Sequence, residues 1–416
     1  MRYFLLFLLF IFINILGFSR IFHTPWHAIA GPNSVREYDG LPFQYESYLF
    51  LRTSAIMRQD FSPLSILHLN TDETRALIPI YFMNLLLILG FSFSLSYHFT
   101  DIIFWWLGCV FLYLFLRLFN ASKLSCIIAT VLAASSPLAA AFIGGFGLHT
   151  ASSMSLPLTL WAVFKTIQSY KFINFKSIIF FIVLFFTSLI YNYHLFVIPL
   201  VTIYLFIYRR SKELLNWFIG IIFYFTSSFL IRKFILESFF MYDQHFNNPW
   251  NIVSDRLNFT QFSLDSSEDL FNLLITILLQ AFTIFFNVVN TFINSYSVYI
   301  IFYGIVGLLF APSSIQLFCF ISIFLTILQS MIYPVPWVIM SSFPFVYYLA
   351  ALGLIHIVKY ISTYLRVYGF SLRLSADMSM IFFCLSVIYA ICNTNSDLFG
   401  DDSFVISWWG AWYIKR

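Results

Sequence analysis

The sequence predicts an all-α, polytopic integral membrane protein of about ten to twelve transmembrane helices, folded as one membrane-embedded domain over residues 1–416. Three observations predict it. The chain is 61% hydrophobic and 10% charged, with a mean hydropathy of +0.86, and so few charges do not cover a soluble surface. Apolar runs of roughly 17–25 residues, the length that crosses a hydrocarbon core, recur along the chain. The charges between the runs are sorted by sign: basic, acid-poor loops alternate with two stretches, 19–77 and 232–269, that hold six acidic residues each.

The first run, 3–18, follows Arg2 and ends in Gly17-Phe18-Ser19-Arg20. It lacks the small-residue pattern of a signal-peptidase site and reads as an uncleaved span. The positive-inside tendency orients the rest. Arg2 places the N-terminus in the cytoplasm. Four loops belong on the same side: those carrying Arg117 and Lys123; Lys165, Lys171 and Lys176; Arg209, Arg210 and Lys212 beside Glu213; and Lys359, Arg366 and Arg373. Spans at 3–18, 101–118, 125–147, 150–167, 178–193, 195–208 and 214–231 alternate correctly if 78–99 does not cross. That segment is therefore predicted to be a re-entrant or interfacial helix. Of the runs 270–292, 296–310, 315–333 and 337–358, an odd number must cross to bring Lys359 inside. The first of them, 270–292, is expected to lie partly in the interface. A last span near 378–392 leaves an outward tail with Asp397, Asp401 and Asp402.

The pI near 8.7 and net charge of +4 do not point to nucleic acid, because the basic residues sit in short loops between spans. The lipid bilayer is the partner this composition implies. Cys109, Cys126, Cys319, Cys384 and Cys392 form no CxxC pair or metal spacing and read as inert core thiols. No P-loop, HExxH, GxSxG or Cys/His metal pattern occurs, so a serine-nucleophile enzyme or an ATP-driven pump is unsupported.

The chemistry is concentrated early. Residues 19–77 carry eleven charged side chains: Arg20, Arg36, Glu37, Asp39, Glu46, Arg52, Arg58, Asp60, Asp72, Glu73 and Arg75, with His23, His27 and His68 among them. In an extended segment Glu37 and Asp39 lie on one face. Two carboxylates so placed can hold a divalent cation, or one can act as general base while the other tunes its pKa. From Leu41 onward, Tyr45, Tyr48, Leu49 and Leu51 suggest an amphipathic helix on the membrane surface. Arg36, Arg52 and Arg58 can pair with phosphate, and the plain alternative for each is a salt bridge within a solvated loop. Arg232 and Lys233 sit outside the span ending near Ile231, against the positive-inside tendency; they read as a phosphate clamp or a headgroup anchor. His149, Tyr191 and His194 fall at outer helix ends and are candidates to line a wet cavity, with an aromatic belt as the alternative. Asp101 reads as an acidic N-cap. Tyr333 opens the stretch YPVPW, which with SSFPF (341–345) breaks the helical pattern three times with proline. Such breaks are tolerated at membrane depth where backbone lines a cavity or is buried in protein.

These pieces, in this order, resemble a GT-C type polytopic membrane glycosyltransferase, the class of protein mannosyltransferase-like and lipid A aminoarabinose transferase-like enzymes. The resemblance is carried by the early acids Glu37 and Asp39, by LRLFNASK (116–123), by LAASSPLAAAF (132–142) and by YPVPWVIMSSFPFVYYLAALGL (333–354). The chain departs from the class pattern in its acids, spaced as Glu37-Tyr38-Asp39, and in its later turn, Phe61-Ser62-Pro63-Leu64. An oligosaccharyltransferase catalytic subunit is disfavoured as the model of comparison, because SWWGAWY (407–413) lacks that family's acidic residue after the tryptophans.

The resemblance implies a transferase at the outer face of the membrane, in a bacterial inner (plasma) membrane, acting on a polyprenyl-phosphate-linked sugar donor. The acceptor would be a glycan, lipid or protein. Asp39 would be the base, Glu37 its partner or a metal ligand, and Arg36, Arg232 and Lys233 the phosphate-binding residues. His149, Tyr191, His194 and Tyr333 would border the substrate cavity. The alternative is a transporter or flippase, or a polymerase, of lipid-linked polysaccharide. A transporter is expected to carry ionisable residues at mid-membrane, whereas the spans here are almost free of them.

Overall fold

The computed structural model describes residues 78–79, 82, 85–86, 89–91, 93–134, 155–169, 175–188, 190, 194–230, 267–296, 298–332 and 340–367. Among these residues the chain is helical throughout, with no strand. The helices are α1 (Phe93–Leu118), α2 (Lys123–Ala134), α3 (Leu156–Ser169), α4 (Lys176–Ser188), α5 (His194–Ile207), α6 (Ser211–Leu230), α7 (Ser267–Tyr296), α8 (Val298–Phe310), α9 (Ser313–Ile332) and α10 (Phe343–Val367). A 3₁₀ turn, Met340–Ser342, leads into α10.

Side-chain contacts fix the helix directions. Phe111 meets Trp161, Phe115 meets Phe164, and Gln168 donates to the Leu118 carbonyl at 3.2 Å, so α1 and α3 run parallel. Lys176 donates to the Ile167 carbonyl at 3.4 Å, which starts α4 where α3 ends. Phe180 packs on Trp217 and Phe181 on Phe223, making α4 and α6 parallel. Tyr296 bonds Ser342 while Phe310 stacks on His356 at 4.6 Å, so α8 and α10 are parallel, and α9 connects them in the opposite direction. Phe318 near the start of α9 touches Phe119, Phe164 and Tyr204, which registers α9 to the ends of α1, α3 and α5.

One consequence is a shared basic end. The end of α1, the start of α2, the end of α3, the start of α4 and the α5–α6 turn meet there, with the α8–α9 turn and the C-terminal part of α10. Arg117, Lys123, Lys165, Lys176, Arg209, Arg210, Lys212 and Lys359 belong to these positions, and Glu213 is the acid among them. Glu213 lies in the first turn of α6, where a carboxylate complements the helix dipole. Within α1–α6 and α8–α10 the one charged residue away from this end is Asp101.

The core is aromatic. Phe115, Phe164 and Phe345 are almost fully buried and join Phe119, Tyr204 and Phe318 in edge-on and tilted ring contacts. Edge-to-face pairs add roughly 0.5–1.5 kcal/mol each beyond area burial. Outward positions are just as apolar: Phe206 is 73% exposed, Leu309 71% and Leu278 67%. By length and composition one described helix, Phe343–Tyr364, can cross a membrane; Ile103–Leu118, Lys176–Ser188, Val298–Phe310 and others are shorter apolar helices.

Helix ends are set by local chemistry. Gly90 adopts φ 93°, and Phe91 donates to the Leu86 carbonyl at 3.1 Å, closing the preceding helical turns with a left-handed cap. Phe82 packs on Phe104 and Phe91 on Phe99, so the described residues of 78–86 run antiparallel to the first half of α1. The predicted unit 78–99 is thus divided by a chain reversal, and 93–99 belongs to α1. The same finding corrects Asp101: it lies eight residues inside α1 and is not an N-cap, because the helix is already started at Phe93. Of α7, Val288, Phe292 and Tyr296 in the C-terminal part are buried, whereas Leu278, Leu279, Phe282 and Phe286 are exposed.

Candidate functional site

Arg36, Glu37, Asp39, His149, Tyr191, Arg232, Lys233 and Tyr333 lie outside the described residues. His194 is described as the first residue of α5. Four helix ends adjoin these positions in the sequence: Leu156 at the start of α3, His194, Leu230 at the end of α6, and Ile332 at the end of α9. All four belong to the end of the bundle opposite the basic one, by the helix directions given above.

Toward that end the interior carries a seam of hydroxyls. Ser322, Thr326 and Ser330 follow one another at every fourth position of α9, and each is fully buried. Spacing of four returns to the same helix face. Ser322 donates to the Phe318 carbonyl at 2.7 Å, and Thr326 to the Ser322 carbonyl at 3.0 Å. Such back-bonding satisfies a hydroxyl in apolar surroundings without a partner on another helix. Ser330 Oγ is buried with no hydrogen bond among the described residues. The 3₁₀ turn before α10 packs against α9 and supplies buried Ser341 and Ser342. Ser342 shares a 2.8 Å hydrogen bond with Tyr296, the last residue of α7, and the Tyr296 ring packs edge-on against Tyr347 at 5.6 Å.

The seam joins α7, α9 and α10 on either side of 333–339, the proline-broken stretch. It supplies donors and acceptors but no acid or base, and among the described residues no group of three His, Cys, Asp or Glu is placed to hold a metal. Sequence reasoning missed it, although Ser322, Thr326 and Ser330 at a fixed spacing of four were visible in SIFLTILQS (322–330). Cys109, Cys126 and Cys319 are free and buried.

At the basic end the polar contacts tie helices together. Lys176 is 5% exposed, reaches the Ile167 carbonyl and lies 3.8 Å from Glu213, which also lies 4.0 Å from Arg210. Ser177 donates to Asn216 at 3.0 Å, and the Arg117 guanidinium to the Ala121 carbonyl. The bond to Ile167 satisfies a carbonyl in the last turn of α3 that would otherwise be orphaned, and the contacts of Lys176 and Ser177 tie α4 to α6. No family model matches the chain, and no curated protein matches it.

Proposed function

We propose that the chain is a multi-pass membrane glycosyltransferase of GT-C type. It takes a sugar from a polyprenyl-phosphate donor and passes it to an acceptor at the outer face of a bacterial inner membrane. The observation that carries the membrane part is the apolar outer surface of the described bundle, around a core that also buries hydroxyls. Large apolar side chains such as Phe206, Leu309 and Leu278 face outward, while Ser322, Thr326, Ser330 and Ser342 are inside. A water-soluble bundle does the reverse. The spacing of apolar runs and basic loops supplies the count of about ten to twelve crossings.

The transferase part rests on the early carboxylates and on the order of motifs. Asp39 takes the proton of the acceptor hydroxyl as that oxygen attacks the anomeric carbon. The bond from this carbon to the phosphate oxygen breaks, and the lipid phosphate leaves with the electron pair. Glu37 tunes Asp39 or shares a divalent cation with it, and Arg36, Arg232 and Lys233 neutralise the leaving phosphate. A positioned carboxylate base contributes roughly 10²–10⁴-fold in rate.

Transfer of labelled sugar from a polyprenyl-phosphate donor in membranes tests this. Asp39→Asn keeps the shape and removes the base, so turnover falls by about 10²–10⁴-fold while expression and donor binding stay. Wild-type turnover in that variant removes Asp39 from the mechanism. A wild-type protein that consumes no lipid-linked sugar, yet moves it across vesicles, is a transporter instead.

A further inference from the structure

Three helix ends in the bundle close with a residue in the left-handed region: Gly90 at φ 93°, Asn120 at φ 56° and Arg209 at φ 51°. Glycine and asparagine are the residues that tolerate this position. Arginine is not, since its Cβ crowds the carbonyl there. The cap at Arg209 is nevertheless complete: Arg209 donates to the Phe206 carbonyl and Arg210 to the Leu205 carbonyl, both at 3.0 Å. A basic side chain is held in backbone geometry that a glycine would adopt without cost.

The cap borders a groove. Ile203 and Ile207 of α5 face Leu317 and Ile321 of α9 across a shallow, partly open surface cleft, with Tyr204 and Tyr208 along its floor and rim. Tyr208 is 40% exposed and immediately precedes Arg209, so the basic turn stands at the groove's mouth. Arg210 and Lys176 flank Glu213, which takes up part of their charge. Arg209 and Lys212 are exposed and have no ion-pair partner among the described residues. A basic residue at the end of α5 complements the helix dipole, but that benefit needs only a charge nearby, not a charge at the strained position itself.

We propose that this groove seats one anionic glycerophospholipid, with an acyl chain lying along the shallow surface cleft over α5 and α9 and its phosphate on Arg209 and Lys212. Only the apolar, lipid-facing walls together with the unpaired cations define the ligand: a chain for the first and a phosphodiester for the second. The site rests on the membrane part of the proposed function and is independent of sugar transfer. It lies at the basic end, away from the helix ends that adjoin the proposed catalytic residues.

The experiment is native mass spectrometry and thermal melting of the purified full chain in neutral detergent. Phosphatidylglycerol, phosphatidylcholine and inorganic phosphate are added in separate arms. The expected result is retention of one phosphatidylglycerol and a higher melting temperature with that lipid alone. Arg209→Gly melts at or above the wild-type temperature without lipid, because the cap relaxes. It loses about fivefold in preference for phosphatidylglycerol over phosphatidylcholine. Arg209→Lys keeps that preference. Equal retention of the two lipids by the wild type overturns the proposal, as does stabilisation by inorganic phosphate alone or an unchanged preference in Arg209→Gly. Carbonate washing of membranes separates the two levels: a chain released to the supernatant refutes the membrane assignment itself. A chain that stays embedded yet shows no preference refutes only the lipid seat.

Discussion

Two glycines decide how closely α8 and α10 approach. A Cβ built on Gly307 runs into the Leu349 carbonyl, and one on Gly353 runs into the Tyr303 carbonyl. Both obstacles are helix backbone, which cannot swing aside as a side chain can. Gly304, one turn earlier in α8, is different: a Cβ there meets nothing within 4 Å. The pair Gly304→Ala and Gly307→Ala therefore makes the same chemical change on one helix with opposite expected signs. At Gly304 the added methyl restricts the unfolded chain and favours helix, a gain of about 0.5–1 kcal/mol. At Gly307 the same gain is opposed by separation of the two helices. A gap of 0.5–1 Å forfeits a quarter to a half of each dispersion contact across it. A leucine-sized patch of 40–60 contacts at about 0.1–0.2 kcal/mol each then loses about 1–6 kcal/mol. The lower part of that range agrees with the ~1–3 kcal/mol usual for overpacking. Gly307→Ala is expected to be destabilised by about 1–3 kcal/mol net, and Gly353→Ala by a similar amount.

The assay is thermal stability of the full chain in mild detergent, followed by size-exclusion of the folded fraction. Gly304→Ala should melt above wild type, and Gly307→Ala and Gly353→Ala well below it. If Gly307→Ala melts with wild type, α8 and α10 do not approach backbone to backbone and the parallel pairing is wrong.

Glu213→Gln removes the negative charge that faces the buried Lys176 ammonium, leaving it neutral acceptors alone, and is expected to cost about 1–3 kcal/mol; Lys176→Met with Glu213→Gln should recover part of that in the same melt. In a double-mutant cycle, Tyr296→Phe and Ser342→Ala should couple by about 0.5–1.5 kcal/mol, and strict additivity would show that α7 is not tied to the start of α10. On a cysteine-free background, a cysteine replacing Glu46 should label from outside the cell and one replacing Lys171 should not; the reverse pattern refutes the orientation.

How much of this bundle could be read beforehand depends on which physical signal carried it. Basic loops were legible because charge is local: Arg117 with Lys123, the cluster around Lys176 and the run Arg209–Lys212 each mark a helix end that the contacts bring to one side. The break between the runs 296–310 and 315–333 was legible too, and Ala311-Pro312 parts α8 from α9 there. Gly90 was not, because one glycine in an apolar run reads as a tolerated interruption until Phe82 and Phe104 are seen to pack across it. Asp101 misled for a related reason. An acidic residue before an apolar run is a start signal only where the chain before it is not helical, and FSLSYHFT (93–100) is drawn into α1. The hydroxyl seam was hidden by its own bonds. Ser322 and Thr326 satisfy themselves on their own helix, so the hydropathy of 315–333 barely registers them. The charged residues of 19–77 and the Arg232–Lys233 pair lie outside the described residues, so their chemistry stands on sequence alone.

The described bundle and the proposed chemistry meet at helix ends. A transferase that works on a lipid-linked donor needs a frame rigid enough to hold a base within about 2.6–3.2 Å of a hydroxyl. It also needs a non-helical, cavity-lining stretch where the lipid phosphate can sit. The aromatic core around Phe164 and Phe345, with the Gly307–Gly353 crossing, supplies rigidity without any buried acid among the described residues. Buried hydroxyls recur in α1–α4, at Thr100, Ser125, Thr159, Thr166, Ser177 and Thr187, and those of α9 and the start of α10 stand on both sides of 333–339. In the proposed transferase the charges that do chemistry would not need to be in the spans. A carboxylate on an outer segment costs little to keep ionised, whereas the same group at mid-bundle would neutralise or demand a partner. The test of Asp39 and the tests of the α8–α10 crossing therefore report on separable properties, and a frame that melts as wild type while transfer is lost is the signature expected of this division.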